Sequence, residues 1–269
     1  MRLAWLTDIH LNFVDDGGRA RFWESVRPLA DAVVISGDIA ESPTITSHLG
    51  EMERSLAMPI YFVLGNHDFY RGSIARTRDA VAEVARRSKH LVYLTEAGVV
   101  ELTPNTALVG HDGWADARLG DFERSEVVLN DYLLIEELAQ RWNLGLDKPA
   151  LRDALHGLGD EAARHIAAVL DEAFARYRRV VLATHVPPFR ETAWHEGRLS
   201  NDEWLPHFSS RAAGNAMVAA LAARPQSELL VLCGHTHSGG EAEILTNLRV
   251  LTGKARYRHP AVERVLQID

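Results

Sequence analysis

The 269-residue sequence carries 29 Lys+Arg against 37 Asp+Glu, a formal charge of −8, with one Cys and 13 His. One cysteine excludes a disulfide framework and any thiolate-rich metal site. The 46% hydrophobic content excludes global disorder, and the acidic balance argues against a broad nucleic-acid-binding face.

The first apolar run, residues 3–7, follows Arg2 and gives way at once to Asp8-Ile9-His10. It is too short for a secretory h-region, so it is expected to be a buried strand of a cytoplasmic protein. No apolar run reaches the ~18 residues of a membrane helix. Similar runs at 32–36, 60–64, 107–109, 180–184 and 229–233 are rich in Val, Ile and Leu. Such continuity predicts strands buried on both faces.

Helical spacing fills much of the space between them. It predicts helices at 19–29 and 73–87, with Ser73 as N-cap of the second. A longer helical region, 125–141 and 151–177, is expected to break near Gly145 and Pro149, and again at Gly157 and Gly159. A further helix is expected at 212–223. Residues 91–94 and 99–102 read as a hairpin turning at Ala97-Gly98. Residues 243–245 and 249–252 read as another, turning at Asn247, and 261–268 alternates as an edge strand does. Repeats and low-complexity tracts are absent from the sequence. One domain over 1–269 is expected, with a helical insertion around 120–177 and a lid loop at 187–210, where Trp194, His195, Trp204 and His207 interrupt any periodicity.

The chemistry lies at the strand exits. The first strand runs into Asp8-x-His10, the second into Gly37-Asp38, and the third into Gly65-Asn66-His67-Asp68. Later runs lead into His185 and into Gly234-His235-Thr236-His237. In α/β sheets, ligands bind outside the carboxyl ends of the strands. Each element alone is an ordinary turn residue, because Gly, Asn and Asp serve turns anyway. Together, Asp8, His10, Asp38, Asn66, His185, His235 and His237 are more N and O donors than one ion needs. With one shared carboxylate they make two sets of four, enough for two metals ~3.5–4 Å apart. Imidazole and carboxylate donors suit divalent Mn, Fe, Ni or Zn.

These five blocks, in this order from residue 8 to 237, resemble the calcineurin-like metallophosphoesterase superfamily. The resemblance implies an α/β fold: a two-layer β-sandwich flanked by helices, with a dinuclear metal site at the carboxyl-end rim of the strands. It implies one metal on Asp8, His10, Asp38 and His237. The second would sit on Asp38, Asn66, His185 and His235, with Asp38 bridging. His67 matches the substrate-facing, non-ligand histidine. The implied cofactors are two ions among Mn, Fe, Zn and Ni. The implied activity is hydrolysis of phosphomono- or phosphodiesters by in-line attack of a metal-bridging hydroxide, with His67 aiding the leaving group. Asp68 orients His67 in one reading and is a helix-start carboxylate in the other.

The protein Ser/Thr phosphatase branch has Glu where Asp68 stands and an Arg-containing extension after its Gly-Asp block, which Gly37-Asp38-Ile39-Ala40-Glu41-Ser42 lacks. The chain therefore looks like the small bacterial-type phosphoesterases. A small phosphorylated substrate is expected, a nucleotide among the candidates, with neither a membrane nor nucleic acid as partner. A catalytically inactive binding scaffold of the same fold is the competing reading. Such members usually lose a ligand or the substrate-facing His, and this chain keeps all eight positions. His111 and Asp112 are candidate contacts on the same rim. Tyr70 and Arg71 are candidates for stacking on a base and gripping a phosphate, or else an ordinary helix-start triad with Phe69. Cys233 reads as a packing residue.

Overall fold

The computed structural model describes residues 1–269, apart from the side chain of Leu144. In chain order the elements are β1 (Arg2–Leu6), α1 (Asp16–Val26), β2 (Ala32–Ser36), α2 (Ile45–Leu56), β3 (Ile60–Val63), α3 (Ile74–Arg87), β4 (Leu91–Tyr93), α4 (Leu94–Ala97), β5 (Val100–Thr103), β6 (Thr106–His111), α5 (Asp131–Leu134), α6 (Glu136–Trp142), α7 (Lys148–Phe174), β7 (Arg179–Thr184), β8 (Trp194–His195), β9 (Arg198–Leu199), α8 (Leu205–Phe208), α9 (Arg211–Ala222), β10 (Glu228–Cys233), β11 (Gly240–Leu245), β12 (Leu248–Thr252) and β13 (Arg264–Gln267).

The strands form two main sheets. One has the order β13-β1-β2-β3-β4 and the other β11-β12-β10-β7-β6-β5. The inner strands of both are parallel, and β13, β11 and β5 are antiparallel edges. Alternation along each strand separates the layers. In β1, Leu3 and Trp5 face the space between the sheets, where they meet Val181, Ala183 and Leu232. Ala4 and Leu6 face outward onto α1, α2 and α3 through Trp23, Leu49 and Val81. In β7, Val180 and Leu182 face outward onto α7 and α9 through Ile166, Leu170 and Met217. The architecture is a two-layer sandwich with helices on both outer faces. No helix is long and apolar enough to cross a membrane, among the described residues.

Ser73 caps α3, its Oγ accepting from the Arg76 N–H, and residues 240–252 form the expected hairpin. Several elements differ from the sequence expectations. Residues 91–94 and 99–102 do not pair with each other. β4 lies parallel to β3 in one sheet, and β5 lies antiparallel to β6 in the other. The helical turn α4, with Leu94 fully buried, carries the chain between them. Local alternation is satisfied equally well in either sheet, so it cannot tell which partner a strand takes. The helix at 125–141 begins only at Asp131 and is interrupted at Ile135, whose extended backbone forms a parallel bridge with Gly72. α7 runs unbroken through Gly157 and Gly159, and Pro149 sits in its first turn, where a missing N–H costs nothing. Gly159 is packed so closely on Asp116 that a Cβ there would lie 2.5 Å from the Asp116 Cβ. α2, not anticipated, buries Ile45, Leu49, Met52 and Leu56 along one face.

Asp112, at the exit of β6, stitches the sheets together. It is fully buried and accepts from the Leu64 N–H (2.9 Å), Thr95 Oγ1 (2.9 Å), Tyr93 hydroxyl (2.7 Å) and Arg78 Nε (2.8 Å). Burial would raise its pKa, but Arg78 and the surrounding donors hold it below the usual carboxylate value. Its two oxygens are taken up by four donors from three elements and a strand exit, so its role is structural. Asp112→Ala strands the buried Arg78 and three further donors. A loss of about 3–5 kcal/mol is expected in urea unfolding, and an unchanged midpoint would contradict the stitching role.

Candidate metal centre

The carboxyl ends of β1, β2, β3, β7 and β10 converge at one rim and bring all seven candidate ligands together. Asp8, His10, Asp38 and His237 each place one donor atom within 4.8 Å of the others. His10 Nε2 lies 3.1 Å from His237 Nε2 and 3.8 Å from Asp38 Oδ2, and His237 Nε2 lies 3.4 Å from Asp8 Oδ1. On the other side, Asn66 Oδ1 lies 2.9 Å from both His185 Nε2 and His235 Nδ1, and His185 Nε2 lies 3.4 Å from Asp38 Oδ1. Asp38 therefore stands between the two sets with one oxygen turned to each.

The backbone bends to make this possible. Asp8, His10, Asp38, His235 and His237 all have φ between 41° and 72°. Non-glycine residues in this region cost of order 1–3 kcal/mol each, and Asp and His tolerate it better than most. Gly65 is needed for close approach, because a Cβ there would overlap Asp38 Oδ1 and the Asp38 nitrogen.

The hydrogen bonds around the site determine which atoms are left to face inward. His185 Nδ1 is 2.9 Å from the Ser36 carbonyl, and His235 Nε2 is 3.0 Å from the His207 carbonyl. A carbonyl only accepts, so each of these nitrogens carries the proton. Burial, above all, keeps both rings neutral; for His235 it and the His185 ring lower the pKa to about 4. His185 Nε2 and His235 Nδ1 are then lone pairs. Asn66 is oriented too. Its Nδ2 donates to Asp131 Oδ1 (2.8 Å) and lies 3.2 Å from the Tyr70 hydroxyl, which itself donates to Asp131 Oδ1 (2.6 Å). Its Oδ1 must face the two imidazoles. Three acceptors thus meet at 2.9 Å with no proton among them. Asp8 and Asp38 complete the donor set. Two carboxyls in one enclosure titrate apart: burial and then the Asp8 charge push Asp38 well above its usual range, while Asp8 stays low beside His237. A donor set of carboxylates, an amide oxygen and neutral imidazoles, all turned toward one another, fits divalent cations. The imidazole–carbonyl bonds are the kind that orient metal-bound histidines.

His67 is adjacent to both sets. Its Nε2 lies 3.9 Å from Asp38 Oδ2, its ring stacks on Tyr70 at 4.2 Å, and its buried Nδ1 has no partner. Asp68 does not orient it. The Asp68 carboxyl accepts from the Ala40 and Gly65 N–H groups (2.7 and 2.8 Å), tying the loops after β2 and β3 together. Burial raises its pKa to about 7.

The remaining rim residues take other jobs. Tyr70 is buried under His67 and committed to Asp131, so it is closed to a base. Arg71 pairs with Glu41 at 2.9 Å. His111 Nδ1 accepts from the Gly113 N–H inside the fold. In the 187–210 segment, His207 is buried between Tyr132 and Ser125 (2.6 and 2.9 Å) and serves the site through its carbonyl. Trp204 and His195 pack on Phe208, whose ring meets His235 edge-on at 5.4 Å. Asp131 escaped sequence reasoning because it falls inside what reads as a continuous helix. The Asn130-Asp131 pair was the available signal of a helix start.

A family model described as calcineurin-like phosphoesterase matches residues 1–239. Among solved structures, the phosphopantetheinyl hydrolase from Mycobacterium tuberculosis superposes with a TM-score of 0.67 at 16% identity, over 95% of this chain and 89% of that one. A dimetal phosphatase from Danio rerio gives 0.59 at 18% identity, over 97% and 89%. TT1561 of Thermus thermophilus gives 0.51 at 14%, over 94% and 88%. At these identities the likeness is one of fold. No curated protein matches the chain significantly.

Asp131→Ala frees the Asn66 amide to turn its nitrogen inward. Manganese titration followed by calorimetry is expected to show one site weakened about 10–100-fold and the other unchanged. Two unaltered sites would mean that Asp131 does not hold Asn66.

Proposed function

Because this chain belongs to the calcineurin-like phosphoesterase family, we propose that it is a metal-dependent hydrolase that cleaves phosphomono- or phosphodiester bonds at the rim built by Asp38 and its neighbours. The observation that supports this most directly is the cluster of inward-facing acceptors beside a histidine that has no ligand position. Asp8, His10, Asp38 and His237 would hold one cation, and Asp38, Asn66, His185 and His235 the other. Bound there, two divalent ions would neutralise phosphate charge and lower the pKa of water. Mn, Fe, Zn and Ni all suit these donors.

The chain's own groups do the positioning. Asp38, through its two oxygens, sets the spacing of the two sets. Its Oδ1 also accepts from the His67 N–H (2.9 Å), so the same carboxylate fixes where His67 begins. Burial, and then the imidazoles of His10 and His185, depress the His67 pKa to about 2. The ring is therefore neutral before substrate arrives and offers one N–H to developing negative charge. A phosphate seated beside it raises its proton affinity, and in that state His67 aids the departing oxygen. Stacking on the buried Tyr70 keeps the ring in place. A cytoplasmic setting belongs to the same proposal and rests on the single, free, buried Cys233.

The test is metal analysis joined to assays of bis-p-nitrophenyl phosphate, p-nitrophenyl phosphate and cyclic nucleotides with added manganese. Hydrolysis that is abolished by chelation and restored by metal is expected. Two bound metals with no turnover on any ester would favour the binding scaffold. His67→Ala should lower kcat by about 10²–10⁴-fold with full metal content; loss of metal as well would make His67 a ligand. Asp38→Asn should reduce occupancy at both positions, and retention of two metals would refute the bridging role.

A further inference from the structure

The chain beyond residue 239, outside the matched family segment, returns to the site once. Between β12 and β13 it crosses from one sheet to the other, anchored where the Ala255 N–H donates to the His237 carbonyl (3.2 Å). This crossing places Tyr257 over the first set of candidate ligands. Its ring centroid is 4.6 Å from that of His10, 5.0 Å from His237 and 6.2 Å from His67. Phe13, from the loop after β1, meets it edge-to-face at 5.2 Å and 80°. Tyr257 is 43% exposed and Phe13 42%. Phe13 and Tyr257 thus present two packed aromatic rings to the open side of a polar, buried cluster. Arg256 and Arg258 flank Tyr257 and are also exposed, so this ledge lies in a positively charged stretch of chain.

We propose that Phe13 and Tyr257 form a specificity ledge selecting phosphoesters in which a planar aromatic group is bonded directly to the ester oxygen. This rests on the phosphoesterase reading. The closeness of Tyr257 to His10 and His237 carries the argument. A phosphate seated beside those residues would put only the group on its ester oxygen within reach of the ring, so the ledge reads the substituent nearest the phosphate. Offset or edge-on aromatic contact rewards a flat ring beyond its buried area, whereas an alkyl group gains the area alone.

The test uses inert phosphonates, whose P–C bond removes any leaving-group effect. Manganese-loaded protein is titrated calorimetrically with methyl-, cyclohexylmethyl- and benzylphosphonate, in which a methylene group stands where the ester oxygen would be. The wild-type protein is expected to bind benzylphosphonate about five- to tenfold more tightly than either alternative. Tyr257→Ala should abolish that preference and leave methylphosphonate affinity unchanged. Tyr257→Phe should keep it, and Phe13→Ala should reduce it. Equal binding of benzyl and cyclohexylmethyl forms, or a benzyl preference that survives Tyr257→Ala, would overturn the ledge while leaving the phosphoesterase reading intact. Failure to bind any of the three phosphonates would overturn both.

Discussion

The rim is governed by a shortage of protons. Asn66 Oδ1 and the free nitrogens of His185 and His235 are acceptors turned toward one another beside the Asp8 and Asp38 carboxyls, and the N–H groups of both rings and of the Asn66 amide point elsewhere. Buried acceptors without partners are costly, and five left-handed backbone positions add strain on top. A fold bears such a concentration of unfavourable terms only where something else supplies the positive charge. The shortage itself is set by the ring tautomers, the amide orientation of Asn66 and the placement of Asp131.

Other parts of the molecule supply the rigidity. Asp68 ties the β2 and β3 exits, and Asp112 joins the β3, β4 and β6 ends to α3. Both are carboxyls at strand exits that are committed to protein donors. Asp112 receives four, whereas Asp38 has the His67 N–H and a ring of imidazoles.

Much of this is legible in the sequence alone. Residues at strand exits announce themselves, because five apolar runs that each end in His, Asp or Asn are improbable as five unrelated turns. What is illegible acts at a distance from its own sequence context. Asp131 works through Asn66, 65 residues away. His207 contributes a carbonyl, a group every residue has, so its side chain carries no hint of the role. Tyr257 lies beyond the last motif, on a loop with no periodicity. The hairpin expected at 91–102 fails for a related reason: strand pairing is decided by the whole sandwich, and Leu94 is buried between sheets that its neighbours alone cannot specify.

The contact between His10 and His237 spans 227 residues, and β1 pairs with the last strand, β13. Contacts this distant in the chain slow folding, because entropy is spent on closure before the contacts repay it. The first ligand set is therefore held together by the two ends of the chain meeting. Residues 240–269 supply no candidate ligand, yet their last strand closes the open edge of β1, the strand that carries Asp8 and His10 into place.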